Sequence, residues 1–266
     1  MSATRLEELF AAGRRAGRTS LLPFMTAGLP DPGHSVEMFQ AMAESGADAF
    51  EVGIPYSDPL MDGPTIQEGG ARALAAGVGL EEGLEIAGRV VASTSKPVLI
   101  MTYANVVVQA GPAEFARRAA DHGVSGVIVA DLPLEEAGEI KAAVEAVGLG
   151  MVLFAAPTTT DERLQRIIDA DPVFIYGVAD LGVTGERTSG SNRALELAGR
   201  IRAMTETPLV MGVGISTPAQ AAAFAGSTDG VIVGSALVRR VLEASTPEEA
   251  ATALSDAVGA LRAALD

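Results

Sequence analysis

The stretch Gly126-Val127-Ile128-Val129-Ala130 contains only glycine, alanine and β-branched apolar residues. It lacks the alternation of apolar and polar residues that marks a strand with one face in water. A short unbroken apolar run of this kind predicts a strand buried on both faces, as in a parallel sheet covered by helices. The segment 135–147 that follows has the composition and spacing of a helix, so the local unit is a strand followed by a helix.

The same unit recurs along the chain, which contains eight such apolar runs. The predicted strands are 21–26, 47–52, 98–102, 126–130, 151–155, 173–178, 209–213 and 230–233. Predicted helices between strands include 112–122, 135–147, 161–170 and 192–204, and extra helices are expected at 3–17, 67–76 and 247–265. Without a linker or a break in composition, this pattern predicts a closed (β/α)8 TIM barrel with extra helices, a single domain over residues 1–266.

Composition and charge narrow the classes of partner. The chain has 266 residues, 48% of them apolar, and a formal net charge of −15, which is the wrong sign for binding nucleic acid or an anionic membrane. There is no cysteine, so thiolate chemistry and disulfides are excluded. Neither a signal peptide nor an apolar stretch of the roughly 20 residues that span a bilayer is present, and we expect a soluble cytoplasmic protein.

Glu51 is the most unusual residue of the predicted strands. It interrupts the apolar run 47–54 close to the carboxyl end of its strand, where barrel enzymes carry their reactive groups. Burial there would raise its pKa and suit it to general acid–base catalysis. A buried acid paired with a neighbouring Arg or Lys is an equally good interpretation of the strand position alone.

A proline-rich segment, 55–64, follows Glu51 and predicts an ordered loop. Asp62 lies eleven residues beyond Glu51, a separation that allows one acid on a strand tip and another on a loop over the barrel mouth. Asp58 precedes Pro59 and is better explained as a turn former. For Asp62, which precedes Gly63, spacing leaves the turn and the catalytic role open.

Glycines near the ends of the last two strands predict a phosphate site. The stretches 209–216 and 231–235 each lead from a strand through glycine toward a helix start, where backbone amides and the helix dipole attract anions. Gly214, Gly234 and Ser235 are the candidates, although glycine also serves tight turns for steric reasons. A third glycine-rich loop, 181–190, is predicted to be a lid whose amides could reach the phosphate.

An apolar ligand pocket and the absence of a metal are also predicted. The chain has eight Phe, three Tyr and no Trp, yet Phe24, Tyr103 and Tyr176 fall within or just after strands. With Met101 they could grip a flat apolar ligand, although each taken singly is more often a core residue. His34 and His122 are expected at helix ends, and no pattern of His, Asp and Glu indicates a metal site.

Four segments together resemble the tryptophan synthase alpha chain family: 22–28, 103–105, 182–185 and above all Phe50-Glu51-Val52-Gly53-Ile54-Pro55-Tyr56-Ser57-Asp58-Pro59-Leu60-Met61-Asp62-Gly63-Pro64. The resemblance covers essentially the whole chain. It implies a retro-aldol cleavage of indole-3-glycerol phosphate into indole and glyceraldehyde 3-phosphate. It also implies Glu51 and Asp62 as the catalytic pair, with Tyr176 beside them.

The resemblance extends to the substrate contacts and to a partner. It implies Phe24, Met101 and Tyr103 around the indole, and it implies a phosphate site made of Thr184, Gly185, Val213, Gly214, Gly234 and Ser235. It implies a beta chain that holds pyridoxal phosphate and receives indole in an alpha2beta2 heterotetramer, with no cofactor in this chain. Asn105, Pro133 and the loop around Asp58 are the expected interface positions.

Some positions depart from the family pattern, and other functions stay open. Met61, Val213 and the segment 179–181 differ from common family residues, which affects the lid and the pocket shape. A stand-alone lyase with the same chemistry is one alternative. A sugar-phosphate isomerase barrel is another, although the Glu51–Asp62 pair argues against it. The third is a non-catalytic barrel that binds a phosphorylated ligand or activates a partner.

Overall fold

Eight parallel strands close into a barrel in chain order, with the first strand beside the last. The computed structural model describes residues 3–178, 189–212 and 214–266. The strands are β1 (Ser20–Thr26), β2 (Phe50–Gly53), β3 (Val98–Thr102), β4 (Gly126–Val129), β5 (Gly150–Ala155), β6 (Phe174–Val178), β7 (Leu209–Gly212) and β8 (Gly230–Val233). The predicted (β/α)8 barrel with extra helices is confirmed.

Helices surround the barrel in the described ranges. They are α1 (Ala3–Ala16), α2 (Ser35–Glu44), α3 (Pro64–Ala75), α4 (Leu80–Thr94), α5 (Ala104–Ala110), α6 (Pro112–Asp121), α7 (Gly138–Ala146), α8 (Asp161–Asp169), α9 (Ser189–Met204), α10 (Pro218–Ala222), α11 (Ser235–Glu243) and α12 (Pro247–Leu265). In the part of the chain that the structure describes, none of these helices is both long enough and apolar enough to cross a membrane.

Local sequence explains where several helices begin. Thr160, Thr217 and Thr246 precede α8, α10 and α12, and each threonine hydroxyl accepts a hydrogen bond from a backbone N–H of the first turn. Proline occupies the first helical position of α3, α6, α10 and α12, where no N–H is needed inside the helix. His34 and His122 lie at helix ends, as predicted.

Several element boundaries differ from the sequence prediction by one to three residues. Strand β2 starts at residue 50 rather than 47. Asp48 instead closes the amino end of the barrel, where its carboxylate accepts hydrogen bonds from the Leu21 backbone N–H and from Arg18 and Arg262. The predicted helix 135–147 begins as a 3-10 turn, Leu134–Glu136, before α7. In both places the regular element begins later than predicted, after residues held by side-chain or turn hydrogen bonds.

Helix α1 covers the amino-terminal end of the barrel. Leu6 and Phe10 are fully buried, and the Phe10 ring lies 5.8 Å from that of Phe174 in an edge-to-face arrangement. The Arg14 side chain donates to the buried Asp229 carboxylate at 2.5 Å, and Arg202 binds the same group. Packing and charge pairs therefore close the centre of this end of the barrel, and barrel enzymes carry their active sites at the opposite, carboxyl-terminal end.

Strand register brings the candidate residues to one level. Phe24 pairs with Glu51 across β1 and β2, and Gly53 pairs with Met101 across β2 and β3. Residues two apart on a strand share a face, and paired residues on neighbouring strands do too. Phe24, Glu51 and Met101 consequently face the barrel interior near the carboxyl-terminal mouth.

Candidate active site

Glu51 is a buried carboxyl on β2, with 3% of its surface exposed. Among the described residues its Oε2 atom has no hydrogen-bond partner, and no cation lies close enough to affect its ionisation. Within the described part of the chain, Glu51 therefore forms no ion pair. Burial, with a smaller effect of the nearby Asp62 carboxyl, raises the pKa of Glu51 to about 8. The group holds a proton at neutral pH and can release it.

Asp62 lies on the loop between β2 and α3, and it is half-buried. Its backbone N–H donates to the Pro59 carbonyl at 3.0 Å, and the Gln67 side chain donates to its carbonyl at 2.8 Å, so the loop is anchored at this residue. Burial raises the pKa of the Asp62 carboxyl, and the neighbouring Tyr103 hydroxyl opposes that rise. The two acids predicted from the sequence are thus brought together.

Tyr176 on β6 is the third predicted member of the group. It is buried, its ring lies 5.0 Å from that of Phe154, and both Glu51 and Asp62 are close enough to help burial raise its pKa. A Cβ atom at Gly212 would collide with the Tyr176 hydroxyl. Gly212 therefore has a steric purpose, which is to leave room for Tyr176.

A narrow pocket opens beside Asp62. Residues that line it include Phe24, Thr26, Gly53, Tyr56, Asp62 and Met101. The Phe24 ring reaches its place because Gly53 has no side chain: a Cβ there would lie 2.6 Å from the ring. The walls are mostly apolar with one carboxyl, which suits a flat apolar ligand that carries a polar atom.

Not every predicted pocket residue lines this cavity. Phe24 and Met101 do, whereas Tyr103 packs with its ring 5.2 Å from that of Tyr56 and is only 2% exposed. Sequence reasoning missed Thr26, whose buried hydroxyl has no hydrogen-bond partner among the described residues. Its position two residues after Phe24 on the same strand face was the signal that could have identified it.

The candidate phosphate side lies next to the apolar cavity. Gly234 precedes α11, and a Cβ there would lie 3.4 Å from Phe24, so β8 ends against the cavity wall. Amide groups in the first turn of a helix such as α11 have no partner within the helix. Gly214 has a φ of 85°, a left-handed conformation that favours glycine. The predicted residues Thr184, Gly185 and Val213, and segment 181–188 of the lid, lie outside the described residues.

The raised pKa of Glu51 predicts a pH-dependent stability. Unfolded, this carboxyl titrates near its ordinary value of 4.5, whereas folded it titrates at about 8. Between these values the folded chain keeps a proton that the unfolded chain has released, so this group's contribution to stability falls as pH rises, by on the order of 5 kcal/mol in total. We expect Glu51→Gln to match the wild type near pH 4.5 and to be more stable at pH 9.

Urea unfolding of both proteins across this pH range measures the difference. Glu139→Gln, which removes an exposed carboxylate from α7, controls for the loss of one negative charge. A constant difference between Glu51→Gln and the wild type from pH 4.5 to pH 9 would contradict the raised pKa.

Fold and site together define a (β/α)8-barrel enzyme with a carboxylic acid pair beside an apolar cavity at the carboxyl-terminal mouth. Among the residues that the structure describes, no group of three or more acids and histidines is arranged to hold a metal ion. The family model for the tryptophan synthase alpha chain matches residues 10–265. The chain belongs to the tryptophan synthase alpha chain family, as its sequence predicts.

Relatives and solved structures agree over nearly the whole chain. The tryptophan synthase alpha chain of Picosynechococcus sp. is 41% identical over 263 residues, 98% of this chain and 99% of the relative. That of Halorhodospira halophila is 41% identical over 264 residues, 99% and 97% of the two chains. The structure of tryptophan synthase subunit alpha from Legionella pneumophila superposes with a TM-score of 0.90 at 32% identity, covering 98% of each chain. An aminoacrylate-bound tryptophan synthase from M. tuberculosis gives 0.88 at 36% identity, covering 98% of this chain and 99% of that one.

Proposed function

We propose that this chain is the alpha subunit of tryptophan synthase and cleaves indole-3-glycerol phosphate into indole and glyceraldehyde 3-phosphate. Family membership supports the assignment. The observation that carries it is the Glu51 carboxyl, which is buried, unpaired by any cation among the described residues, and next to Asp62. A barrel that only binds a phosphorylated ligand has no need of such a costly arrangement.

Glu51 acts first as an acid and then as a base. With a pKa of about 8, its carboxyl is protonated at neutral pH and donates that proton to C3 of the indole ring. The resulting carboxylate accepts the proton of the 3′-hydroxyl on the glycerol chain. The C3–C3′ bond then breaks, its electron pair returns to the ring, the hydroxyl carbon becomes the aldehyde, and Glu51 is protonated again.

Asp62 stabilises the positive charge that develops on the indole nitrogen when C3 is protonated. A carboxylate fixed on an anchored loop is already oriented toward that charge, so little reorganisation is needed in the transition state. Because the two acids repel one another when both are ionised, the pair holds its proton on the more deeply buried Glu51. Tyr176 packs beside both acids and limits the space around Glu51.

The substrate spans the apolar cavity and the glycine-rich side of the mouth. Phe24 and Met101 contact the indole ring, as the lining of the cavity supports. The phosphate lies at the start of α11, where the backbone amides at Gly234 and Ser235 and the helix dipole attract an anion. From the family resemblance we add Thr184, Gly185, Val213 and Gly214 to this phosphate site.

Indole release from indole-3-glycerol phosphate by the purified chain tests the proposal directly. We expect turnover by the chain alone and faster turnover with a tryptophan synthase beta chain. Absence of indole formation with and without the beta chain would reject the lyase function and leave a phosphate-binding barrel. Equal rates in both conditions would favour a stand-alone lyase.

A beta chain is the partner that this assignment implies, in an alpha2beta2 heterotetramer of the cytoplasm, with pyridoxal phosphate held by the beta chain. Among the described residues, three large apolar side chains that are strongly exposed support a docking surface at the barrel mouth: Leu60 (89% exposed), Met61 (64%) and Val108 (59%). The loop and α5 that carry them are joined by a hydrogen bond of 3.1 Å from Asn105 to the Tyr56 hydroxyl. Clustered exposed apolar side chains are typical of protein interfaces.

We expect Val108→Asp to weaken binding of the beta chain by roughly 10- to 100-fold, since a charge would be buried against the partner. Isothermal titration with the purified beta chain measures the affinity, and circular dichroism checks the fold. Leu195→Asp is the matched control, because Leu195 is an exposed apolar residue on α9. Equal losses of affinity in the two variants would argue against this surface.

A further inference from the structure

Tyr103 presents a buried hydroxyl that the family-based mechanism does not use. The residue follows β3 directly and is 2% exposed, yet its hydroxyl oxygen has no hydrogen-bond partner of full geometry among the described residues. Buried polar groups nearly always have a partner, because leaving one unpaired is unfavourable. We therefore expect an acceptor that lies close to this hydroxyl but does not form a hydrogen bond of full geometry with it.

The surroundings fix the direction of the Tyr103 side chain. Its ring lies 5.2 Å from that of Tyr56 at an angle of 31°, and the Tyr56 hydroxyl is itself bonded by Asn105. On the other side the Tyr103 hydroxyl meets the end of the β2–α3 loop, next to the Met61 backbone N–H and the Asp62 carboxyl. The ring is held from one side, and the hydroxyl lies close to Asp62.

Other charged groups near this hydroxyl are poorer acceptors. Asp131 also faces Tyr103, but one of its carboxylate oxygens already accepts the Ala104 backbone N–H at 2.7 Å. Among the described residues, Glu51 and Tyr176 also lie close to Asp62, and both are buried inside the barrel. Asp62 is the acceptor on an exposed loop, which can move by the small distance that completes the bond.

We propose that Tyr103 is a positioning residue for Asp62: its hydroxyl donates to the Asp62 carboxyl and holds it, ionised, over the indole nitrogen. This inference rests on the function proposed above, since it presumes that Asp62 acts on the substrate. The role differs from the pocket contact that the sequence predicted for Tyr103. It explains why a tyrosine buried outside the cavity ends in a hydroxyl, because phenylalanine would pack against Tyr56 equally well.

Tyr103→Phe is the test, since it keeps the ring and removes only the hydroxyl. The hydroxyl lowers the Asp62 pKa, so its removal raises that pKa and moves the acidic limb of the activity profile to higher pH. We expect kcat for indole release to fall about tenfold, with KM within about twofold of the wild type. In an Asp62→Asn background the same change should have no further effect.

A measurement independent of the reaction separates this inference from the proposed function. The chain is labelled with ¹³C-aspartate, and the carboxyl resonance that disappears in Asp62→Asn is assigned to Asp62. In Tyr103→Phe that resonance should titrate at higher pH than in the wild type. An unchanged titration overturns the positioning role even if the wild type cleaves indole-3-glycerol phosphate, whereas a shifted titration without any cleavage overturns only the function.

Discussion

Glu51→Gln is expected to lower kcat for indole release by about 10²–10⁴-fold, because the amide keeps the shape of the side chain but has no proton to exchange. The position is buried, and no cation loses a partner among the described residues when the carboxyl is replaced. The barrel should therefore stay folded. Above pH 4.5 it should even be more stable than the wild type, so the loss of rate cannot result from unfolding.

Steady-state assays at pH 7, with circular dichroism on the same samples, measure this effect. The control is Glu139→Gln, the same chemical change on the exposed surface of α7, which should stay within about twofold of the wild type. A folded Glu51→Gln chain that retains more than about a tenth of the wild-type kcat would remove Glu51 from the chemistry and would favour the activator or binding function.

Asp62→Asn is expected to lower kcat by about 10²–10³-fold with little change in KM, since its carboxylate acts on a charge that the bound substrate lacks and that develops as C3 is protonated. The loop should keep its conformation. The bonds to Pro59 and from Gln67 use backbone atoms of Asp62 that the substitution leaves in place.

The matched control for this variant is Asp256→Asn, which changes an exposed acid on α12 and should leave the rate within about twofold. Rates are compared at saturating substrate, so that a change in binding is separated from a change in the chemical step. If Asp62→Asn instead raised KM and left kcat intact, Asp62 would be a ground-state contact rather than a stabiliser of the transition state.

Much of this barrel could be predicted from the sequence, because each strand and helix is specified by residues close to one another in the chain. Unbroken apolar runs predicted the parallel strands, and Thr-Pro pairs at 217–218 and 246–247 account for two of the helix starts. Glu51 stood out for the same reason. A charged residue inside an apolar run is buried wherever the run is buried.

Local sequence patterns could not predict the role of residues that act through a contact with another strand or helix. Gly212 lies in the glycine-containing stretch 209–216, and its lack of a side chain leaves room for the Tyr176 hydroxyl on the neighbouring strand. Asp48 was predicted to lie near the start of β2. In the structure its carboxylate instead accepts hydrogen bonds from Arg18 and from Arg262, which lies on α12 near the end of the chain. Such contacts join residues separated by 30 to 214 positions, and no local pattern records them.

The sequence by itself determined the barrel and the family and predicted the acid pair, since these depend on local apolar patterning and on one distinctive segment, 50–64. Only the tertiary structure decided that Glu51 has no cation beside it among the described residues and a pKa of about 8, that Phe24 and Met101 line a cavity, and that Tyr103 lies close to Asp62 instead. The pKa of a buried group and the shape of a cavity both depend on neighbouring residues from distant parts of the chain. Strand register and barrel closure bring these neighbours together, and a local sequence pattern does not show which they are.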